Sequence, residues 1–386
     1  MSSSTQGFGS HNGKDSIVVD TRPDTGLKAD PADDFGSEKP VSVFRRRFRR
    51  FRRLRRGWYS FLILVTLYVI SFFNPLLINN KALIVHYEGK NYFPAVQSHY
   101  DAKFFGQKRI GEVRYRELEK QFQEADEGNW VLMPPYPYHP NESLIRELVG
   151  NPPHPPSGQH WLGTDDRDRD VLARLAYGFH ISLSFALGVV SISYALGVMV
   201  GSLLGFFGGR VDMFGQRFVE IWAGLPFLYT VMIVASVIPK VGLGLLTFLV
   251  AFFSWVGITY YMRGEFYREK AKDYVSAAIS QGESRPSIMF RHILPNTLTP
   301  IVSFAPFALV GAISAIVSLD FLGFGLPAPT PSWGELMDQG LRHLTSGDYH
   351  LVFSPITALF ATLVMVVFIG EAIREAFDPK VFSRLR

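Results

Sequence analysis

Six long apolar runs alternate with polar segments along this chain. A helix of roughly 20 apolar residues crosses the hydrocarbon core of a bilayer. The runs cover residues 58–78, 181–207, 216–238, 241–261, 299–319 and 352–370. Each reaches or approaches the required length, so the pattern predicts an all-α polytopic membrane protein with six transmembrane helices.

Lysine and arginine are unevenly distributed over the polar segments between these runs. Two arginines lie in 208–217, and six basic residues lie in 262–296. The short segments on the opposite side carry only Lys240 and Arg342. Because basic residues concentrate in cytoplasmic loops, both termini are predicted to be cytoplasmic. The segment 80–160 is then predicted to be a periplasmic insertion after the first span, since long segments translocate regardless of their charge.

The N-terminal end of the chain is polar and then strongly basic. Residues 1–44 carry little apolar material, so a disordered cytoplasmic tail is predicted. Residues 45–56 read RRRFRRFRRLRR and abut the first apolar run. We interpret them as a positive flank that holds the N-terminus in the cytoplasm. A helix lying on anionic membrane lipid is the alternative, and no nucleic-acid partner is predicted. The unit 45–79 therefore combines this basic flank with the first transmembrane helix.

Composition and motif content remove several kinds of chemistry. The 386 residues include no cysteine, which excludes disulfides and thiolate metal sites. Asp166, Asp168 and Asp170 alternate as in a calcium loop, but Val171 and Tyr177 stand where such a loop needs glycine and glutamate. The sequence holds no G-x-x-x-x-G-K-[ST] stretch and no convincing catalytic triad. We therefore predict no metal site, no cofactor and no catalytic residue on this chain.

The polar segment 273–296, DYVSAAISQGESRPSIMFRHILPN, lies between two apolar runs and has a helical pattern of its own. Gly282 can end a first helix, and Ser284 can cap a second one with Pro286 in its first turn. The apolar stripe of the first helix is Ala271, Tyr274, Val275, Ala278 and Ile279. The pattern alone fits equally a docking element for a soluble partner and a helical hairpin covering the inner face of the bundle.

The same segment resembles the EAA motif of ABC importer permeases. That motif is a glutamate–alanine–alanine run, a glycine and a distal Leu-Pro. Ser276 replaces the glutamate here, and His292 replaces the usual isoleucine. The matching residues are Ala277, Ala278, Gly282, Leu294 and Pro295. Further matches to the peptide/nickel branch of this family are LGTD at 162–165, RDV at 169–171, RLAYG at 174–178, DFLGFG at 320–325, SWG at 332–334, GE at 370–371 and DP at 378–379.

The resemblance covers 57–386 and implies an architecture and partners. It is closest to the Yej-type oligopeptide and microcin C importer permeases, which the insertion after the first span also resembles. It implies a type I importer domain with five helices in 161–386. It also implies a bacterial inner-membrane location, a second permease subunit forming a heterodimer, a periplasmic solute-binding protein and a separate ABC ATPase that binds ATP and magnesium.

Import of peptides or peptide-like compounds, driven through the 273–292 loop, is the function that the resemblance implies. The implied ATPase-coupling residues are Ser276, Ala277, Ala278, Gly282, Arg285, Ile288, Arg291, His292, Leu294 and Pro295. A secondary transporter or channel is the alternative, but it predicts paired charges near the bilayer midplane and internal repeats, and neither is clear. A membrane-embedded enzyme would need convergent titratable groups, whereas the histidines lie in loops.

Polar residues inside the apolar runs are candidates for a substrate pathway, because they are costly in the bilayer. The candidates are Glu220, Ser314 and Ser318. For Glu220 we favour the second of two interpretations, a structural partner of Arg217 near the membrane interface rather than a carboxylate lining the pathway. Pro226, one to two turns further on, predicts a kink.

Overall fold

The computed structural model describes residues 43–97 and 99–377. The predicted tail lies outside these residues except for Val43 and Phe44, and the matched DP at 378–379 also lies outside them. The helices are α1 Val43–Arg53, α2 Arg55–Ser71, α3 Asn74–Leu77, α4 Tyr115–Ala125, α5 Val171–Phe207, α6 Gly209–Ala223, α7 Phe227–Val237, α8 Leu243–Ser254, α9 Val256–Lys270, α10 Asp273–Ser280, α11 Arg285–Ser287, α12 Leu298–Phe321, α13 Trp333–Arg342 and α14 His350–Phe377. The strands are β1 Ile84–Tyr87, β2 Lys90–Tyr92 and β3 Trp130–Leu132.

Three helical stretches of the described chain are each long and apolar enough to cross a membrane: α5, Arg285–Phe321 and α14. Two further pairs qualify only together, because each helix alone is too short: α6 and α7, which meet at 75°, and α8 and α9, which meet at 46°. Counting each bent pair as one span gives up to five. The kink predicted at Pro226 is confirmed, since this proline separates α6 from α7. The six predicted spans are not confirmed.

The first predicted span accounts for the difference. The apolar run 58–78 forms α2, which has 17 residues, and then the separate short helix α3. The chain turns at Phe72 and Phe73, and Pro75 opens the second piece. A helix of this length rises about 25 Å, slightly less than the hydrocarbon thickness of a typical bilayer.

The core of the bundle is built around α5, which packs against α2, α8, α9 and α12. Glycines on one side of α5 let α9 approach very closely. A methyl group added to Gly201 would lie 2.6 Å from the carbonyl oxygen of Thr259 and 2.8 Å from Met262 Cβ. Gly205 is equally tight, at 2.6 Å from Phe266 Cβ. Small residues at a helix interface permit this backbone approach in membranes.

A small sheet makes the all-α prediction wrong for the segment after α3. Its order is β2-β1-β3, with both pairs antiparallel. The helix α4 packs on this sheet, and it buries Leu118 and Phe122 in one cluster with Val85 of β1. The segment joins the bundle where Tyr136 N donates to the carbonyl of Leu77 at 3.0 Å.

Candidate functional site: the 273–296 loop and the outer ion network

The helix α10 ends in a glycine motif that reverses the chain. Gly282 has a φ of 76°, in the left-handed region that glycine adopts without strain. Its N–H donates to the carbonyl of Ile279 at 3.0 Å, and the N–H of Glu283 donates to the carbonyl of Ala278 at 3.2 Å. This pair of bonds is the Schellman arrangement, which satisfies the free carbonyls at a helix end. The turn predicted at Gly282 is therefore present.

Glu283 ties the second half of the loop to the turn. Its carboxylate accepts from Ser287 Oγ at 2.7 Å and lies 2.8 Å from His292 Nε2. The Ser287 hydrogen bond, followed by the interaction with His292, lowers the pKa of the Glu283 carboxyl. Ser284 occupies the position before α11 as predicted, but its side chain makes no capping hydrogen bond. Glu283 rather than Ser284 therefore stabilises this end of the loop.

The inner face of the loop is clamped to the bundle. Ile288, Met289 and Ile293, from the π-helical turn Ile288–Ile293, are buried in one cluster with Met262 and Phe266 of α9. Val275 and Ala278 of α10 join the same cluster. Because this packing is continuous, the loop cannot move without displacing α9.

A buried carboxylate reinforces the junction between α9 and α10. Glu269 accepts from Lys272 Nζ at 2.6 Å and from the Tyr274 hydroxyl at 2.9 Å. Burial, and then the hydrogen bond to Glu269, raise the pKa of the Tyr274 hydroxyl. Lys270 Nζ donates to the carbonyl of Phe206, which ties the same junction to the end of α5. The two helices are therefore held together by charge as well as by apolar packing.

The outer face of the loop differs from the predicted coupling set. Ala278 and Ile288 are buried supports, whereas Ile279, a member of the predicted apolar stripe, is 58% exposed and lies outside the cluster that buries Val275 and Ala278. Phe290, which the sequence did not single out, is 52% exposed. The exposed members of the coupling set are Ser276, Ala277, Gly282, Arg285, Arg291 and Pro295, while His292 and Leu294 are half-buried. Ile279 and Phe290 are the two exposed large apolar side chains of the segment 273–296, and we call them the outer face of the loop.

A second polar cluster lies at the opposite end of α5. The Arg174 side chain is fully buried, and it donates to Glu335 Oε2 at 2.5 Å and lies 3.5 Å from Asp165. Arg169 donates to the same Glu335 at 3.1 Å and to Asp165 at 2.7 Å. We call these four residues the outer ion network. It joins the segment before α5 to α13, two stretches that the sequence analysis had matched separately.

Trp333 locks the same two stretches together beside the network. Its indole Nε1 donates to the carbonyl of Leu175 at 3.0 Å. Gly178 leaves room for this ring, since a methyl group there would lie 2.7 Å from Trp333 Cδ1. Ser332 caps α13 by accepting from the N–H of Gly334 at 3.1 Å, and it donates to Asp320 at 2.5 Å. The SWG motif is thus the contact between α12, α13 and α5.

Asp170, the last of the alternating aspartates before α5, serves as a helix cap and an ion partner. Asp170 accepts from the N–H of Ala173 at 2.8 Å and from the Tyr136 hydroxyl at 2.7 Å, and it lies 2.9 Å from His160 Nδ1. Burial, and then the hydrogen bond to Asp170, raise the pKa of Tyr136. Asp170 explains why α5 begins at Val171, ten residues before the predicted apolar run. Within 43–97 and 99–377, no group of three or more His, Asp or Glu residues could hold a metal ion.

Comparison with known proteins identifies the family. The family described as "Binding-protein-dependent transport system inner membrane component" matches residues 197–383. The "Inner membrane ABC transporter permease protein YejE" of Escherichia coli (strain K12) is 39% identical over 334 residues, which are 86% of this chain and 96% of the relative. The chain belongs to the binding-protein-dependent ABC transporter permeases. A permease of this family is the membrane subunit, and a separate ATPase hydrolyses ATP.

Other relatives agree with this assignment of the permease. The "Peptidoglycan transport system permease protein YejE" of Agrobacterium fabrum (strain C58 / ATCC 33970) is 36% identical over 362 residues, 87% of this chain and 93% of the relative. The "Dipeptide transport system permease protein DppC" of Bacillus subtilis (strain 168) is 35% identical over 247 residues, which are 64% of this chain and 76% of the relative. The solved inward-facing MetNI methionine ABC transporter has 17% identity and a TM-score of 0.41, and the match covers 53% of this chain and 96% of that chain. The family model and the permease relatives confirm the resemblance drawn from the motifs.

The permease does not gather its predicted pathway residues at one place. Glu220 is exposed and pairs with Arg217 at 2.7 Å, as the favoured interpretation predicted. Ser314 and Ser318 are half-buried on α12. A cavity of about 580 Å³ lies at the junction of α2 and α14, and another of about 440 Å³ lies between α5, α7, α8 and α12. The second is lined by Ser193, Tyr194, Ser254, Gly311 and Ala315 among others, and by none of the three pathway candidates.

Proposed function

We propose that this permease imports peptides or peptide-like compounds across the bacterial inner membrane and that an ABC ATPase drives it through the outer face of the 273–296 loop. The observation that carries the proposal is an exposed apolar surface, Ile279 and Phe290, on a loop whose other side is clamped to α9. Such a surface fits a protein partner. The names of two relatives supply the substrate class, since one is a peptidoglycan transport permease and the other a dipeptide transport permease.

The architecture in the membrane follows from the same proposal. α2 is the first of six spans, both termini are cytoplasmic, and the 80–160 insertion is periplasmic. The importer domain proper is 161–386, and the tail 1–44 precedes the basic flank. The chain itself binds no cofactor, because ATP and magnesium bind to the ATPase. A second permease subunit completes a heterodimer, and a periplasmic solute-binding protein delivers the substrate.

The mechanism is alternating access driven from the loop. When the ATPase subunits close on ATP, they pull on the outer face of the loop. The buried contacts of Ile288 and Met289 pass that displacement to α9, and the glycine contacts of α5 pass it on to the central helix. A ligand shifts a conformational equilibrium only through its different affinities for the two states, so the loop must bind the closed ATPase differently from the open one.

A charge placed on the outer face tests the proposal. Ile279→Asp and Phe290→Asp should insert into the membrane normally but release the ATPase, because each buries an unpaired carboxylate in the interface. Val149→Asp is the matched control, since Val149 is 99% exposed and lies in the segment before α5. The assay is ATPase activity co-purified with the tagged permease from membranes in mild detergent.

Two results would contradict the proposal. One is wild-type ATPase recovery with both loop variants while size-exclusion profiles stay unchanged. The other is peptide uptake into reconstituted vesicles that continues when ATP is depleted, which would favour the secondary transporter.

A further inference from the structure

The basic segment 45–56 does more than flank a span. Most of it forms the separate helix α1, which contacts the end of α14. Phe51 is buried, and its ring meets those of Trp58 and Phe61 edge-on, with both centroids at 5.8 Å. The Arg47 guanidinium lies 4.9 Å above the Phe377 ring, and Arg50 lies 4.0 Å from Glu375. The helix α1 therefore contacts both α2 and the end of α14.

A cavity of about 580 Å³ opens where the start of α2 meets the C-terminal part of α14. Its floor is a backbone contact between α2 and α14 at Gly57, where an added methyl group would lie 2.8 Å from the carbonyl oxygen of Phe368. Phe368 also lines the cavity, one turn deeper along α14 than the charged residues. The remaining lining residues are Leu54, Arg55, Arg56, Glu371, Ala372, Arg374 and Glu375.

The charges of this cavity favour an anion. Three arginines line it against two glutamates, and Glu375 already lies near Arg50. In the described part of the chain, no carboxylate forms an ion pair with Arg55, Arg56 or Arg374. The segment 45–56 around it carries nine arginines and no acidic residue. A basic side chain close to an anionic lipid headgroup contributes about 1 kcal/mol to the attraction.

The surroundings of the cavity favour a lipid over a free anion. The helix α2 leaves this point with large apolar side chains exposed, among them Tyr59 and Ile63. Phe360 and Phe368 are exposed on the neighbouring α14. A molecule with a phosphate in the cavity therefore finds apolar surface for acyl chains directly beside it. Glu371, which has no ion pair within 43–97 and 99–377, could accept hydrogen bonds from headgroup hydroxyls.

We propose that this cavity binds the headgroup of an anionic phospholipid with a hydroxylated headgroup, of the phosphatidylglycerol type. Arg55, Arg56 and Arg374 hold the phosphate, Glu371 accepts from the headgroup hydroxyls, and the acyl chains lie against α2 and α14. The site is independent of the 273–296 loop, so it stands or falls separately from ATPase coupling.

Native mass spectrometry of the full chain, titrated with phosphatidylglycerol, phosphatidylcholine or phosphatidic acid, tests the site. Phosphatidylglycerol should bind most tightly. Arg374→Gln should weaken its binding about fivefold, the equivalent of one lost phosphate contact, and Arg374→Lys should restore most of it. Arg49→Gln should bind as the wild type does, because Arg49 is exposed on α1 outside the cavity. Glu371→Gln should remove the preference for phosphatidylglycerol over phosphatidic acid.

Two outcomes would overturn the inference. If phosphatidylcholine binds as tightly as phosphatidylglycerol, the cavity does not select for charge. If Arg49→Gln weakens binding as much as Arg374→Gln does, the arginines form a diffuse patch and no site exists. A size-exclusion profile and thermal unfolding in detergent accompany each variant, so that a folding defect is not mistaken for lost binding.

Discussion

Glu335 balances two buried arginines, and its replacement by glutamine should destabilise the permease substantially. Glutamine has nearly the same shape but no charge. Arg169 and Arg174 would then share only Asp165, at 2.7 Å and 3.5 Å. Removing one partner of a buried ion pair costs about 3–5 kcal/mol. Because the Glu335 side chain remains 23% exposed and water can compensate in part, we expect about 3 kcal/mol.

Unfolding by sodium dodecyl sulfate in mixed micelles, followed by circular dichroism, measures this loss. Asp338→Asn is the matched control on the same helix, since Asp338 pairs at 2.8 Å with Arg342, which is 72% exposed, whereas the arginines at Glu335 are buried. An exposed pair of this kind contributes about 0.5 kcal/mol or less. Equal unfolding midpoints for Glu335→Gln and Asp338→Asn would refute the reasoning, because they would show that Arg174 does not depend on Glu335.

Three further predictions follow from local geometry. Gly201→Ala should destabilise the permease by about 1–3 kcal/mol in the same assay, because the added methyl group overpacks against α9. Gly264→Ala is the control, since its added methyl group meets nothing within 4 Å, and it should be neutral or slightly stabilising. Equal losses of stability in the two variants would contradict the packing argument. Burial, and then the neighbouring Asp165 charge, raise the pKa of Asp166, so its ionisation opposes folding above the ordinary value of 3.8. Asp166→Asn should therefore raise the free energy of unfolding at pH 7 by less than about 1 kcal/mol. This gain should shrink as the pH falls towards 3.8, and a gain that stays constant with pH would argue against titration of Asp166. The pKa of Glu283 is lowered below its ordinary value of 4.5. Its bonds to the loop therefore persist above that pH and are lost as the pH falls through the pKa of the folded state. Amide hydrogen exchange in 283–293 should be faster in Glu283→Gln than in the wild type at pH 7, and unchanged exchange would show that Glu283 does not hold the turn.

Sequence reasoning located the long helices well, because apolar length is a direct physical requirement of the bilayer. It also located the turn at Gly282, because only a few residues tolerate that backbone conformation. It failed where tertiary neighbours decide. Ile279 has the spacing of a buried residue, but the elements packed on α10 stop at Ala278. The strands of the small sheet are three or four residues long, too short to show an alternating pattern.

The outer ion network could not be read from the sequence for a different reason. Its two halves were recognised as separate motifs, and Arg174 lies 161 residues before Glu335. Only the packing of α13 against the start of α5 shows that the charges compensate one another. The same holds for Glu283 and His292, which both follow the turn at Gly282 and lie nine residues apart; they become a contact only through the way the chain folds between them.

The positions of the loop and the network on the same central helix constrain how this permease can move. The N-terminal end of α5 is fixed to α13 by Arg174 and by the indole of Trp333. Its C-terminal half is fixed to α9 at Gly201 and Gly205, where not even a methyl group fits. Tightly packed interfaces do not deform continuously, so a displacement of the loop cannot be absorbed between α9 and α5. The displacement must then reach the outer ion network or bend α5 between the two contacts. Gly188 lies in that interval, and a methyl group added there would meet Thr247 of α8 but no atom of α9. Such a bend therefore costs least near Gly188.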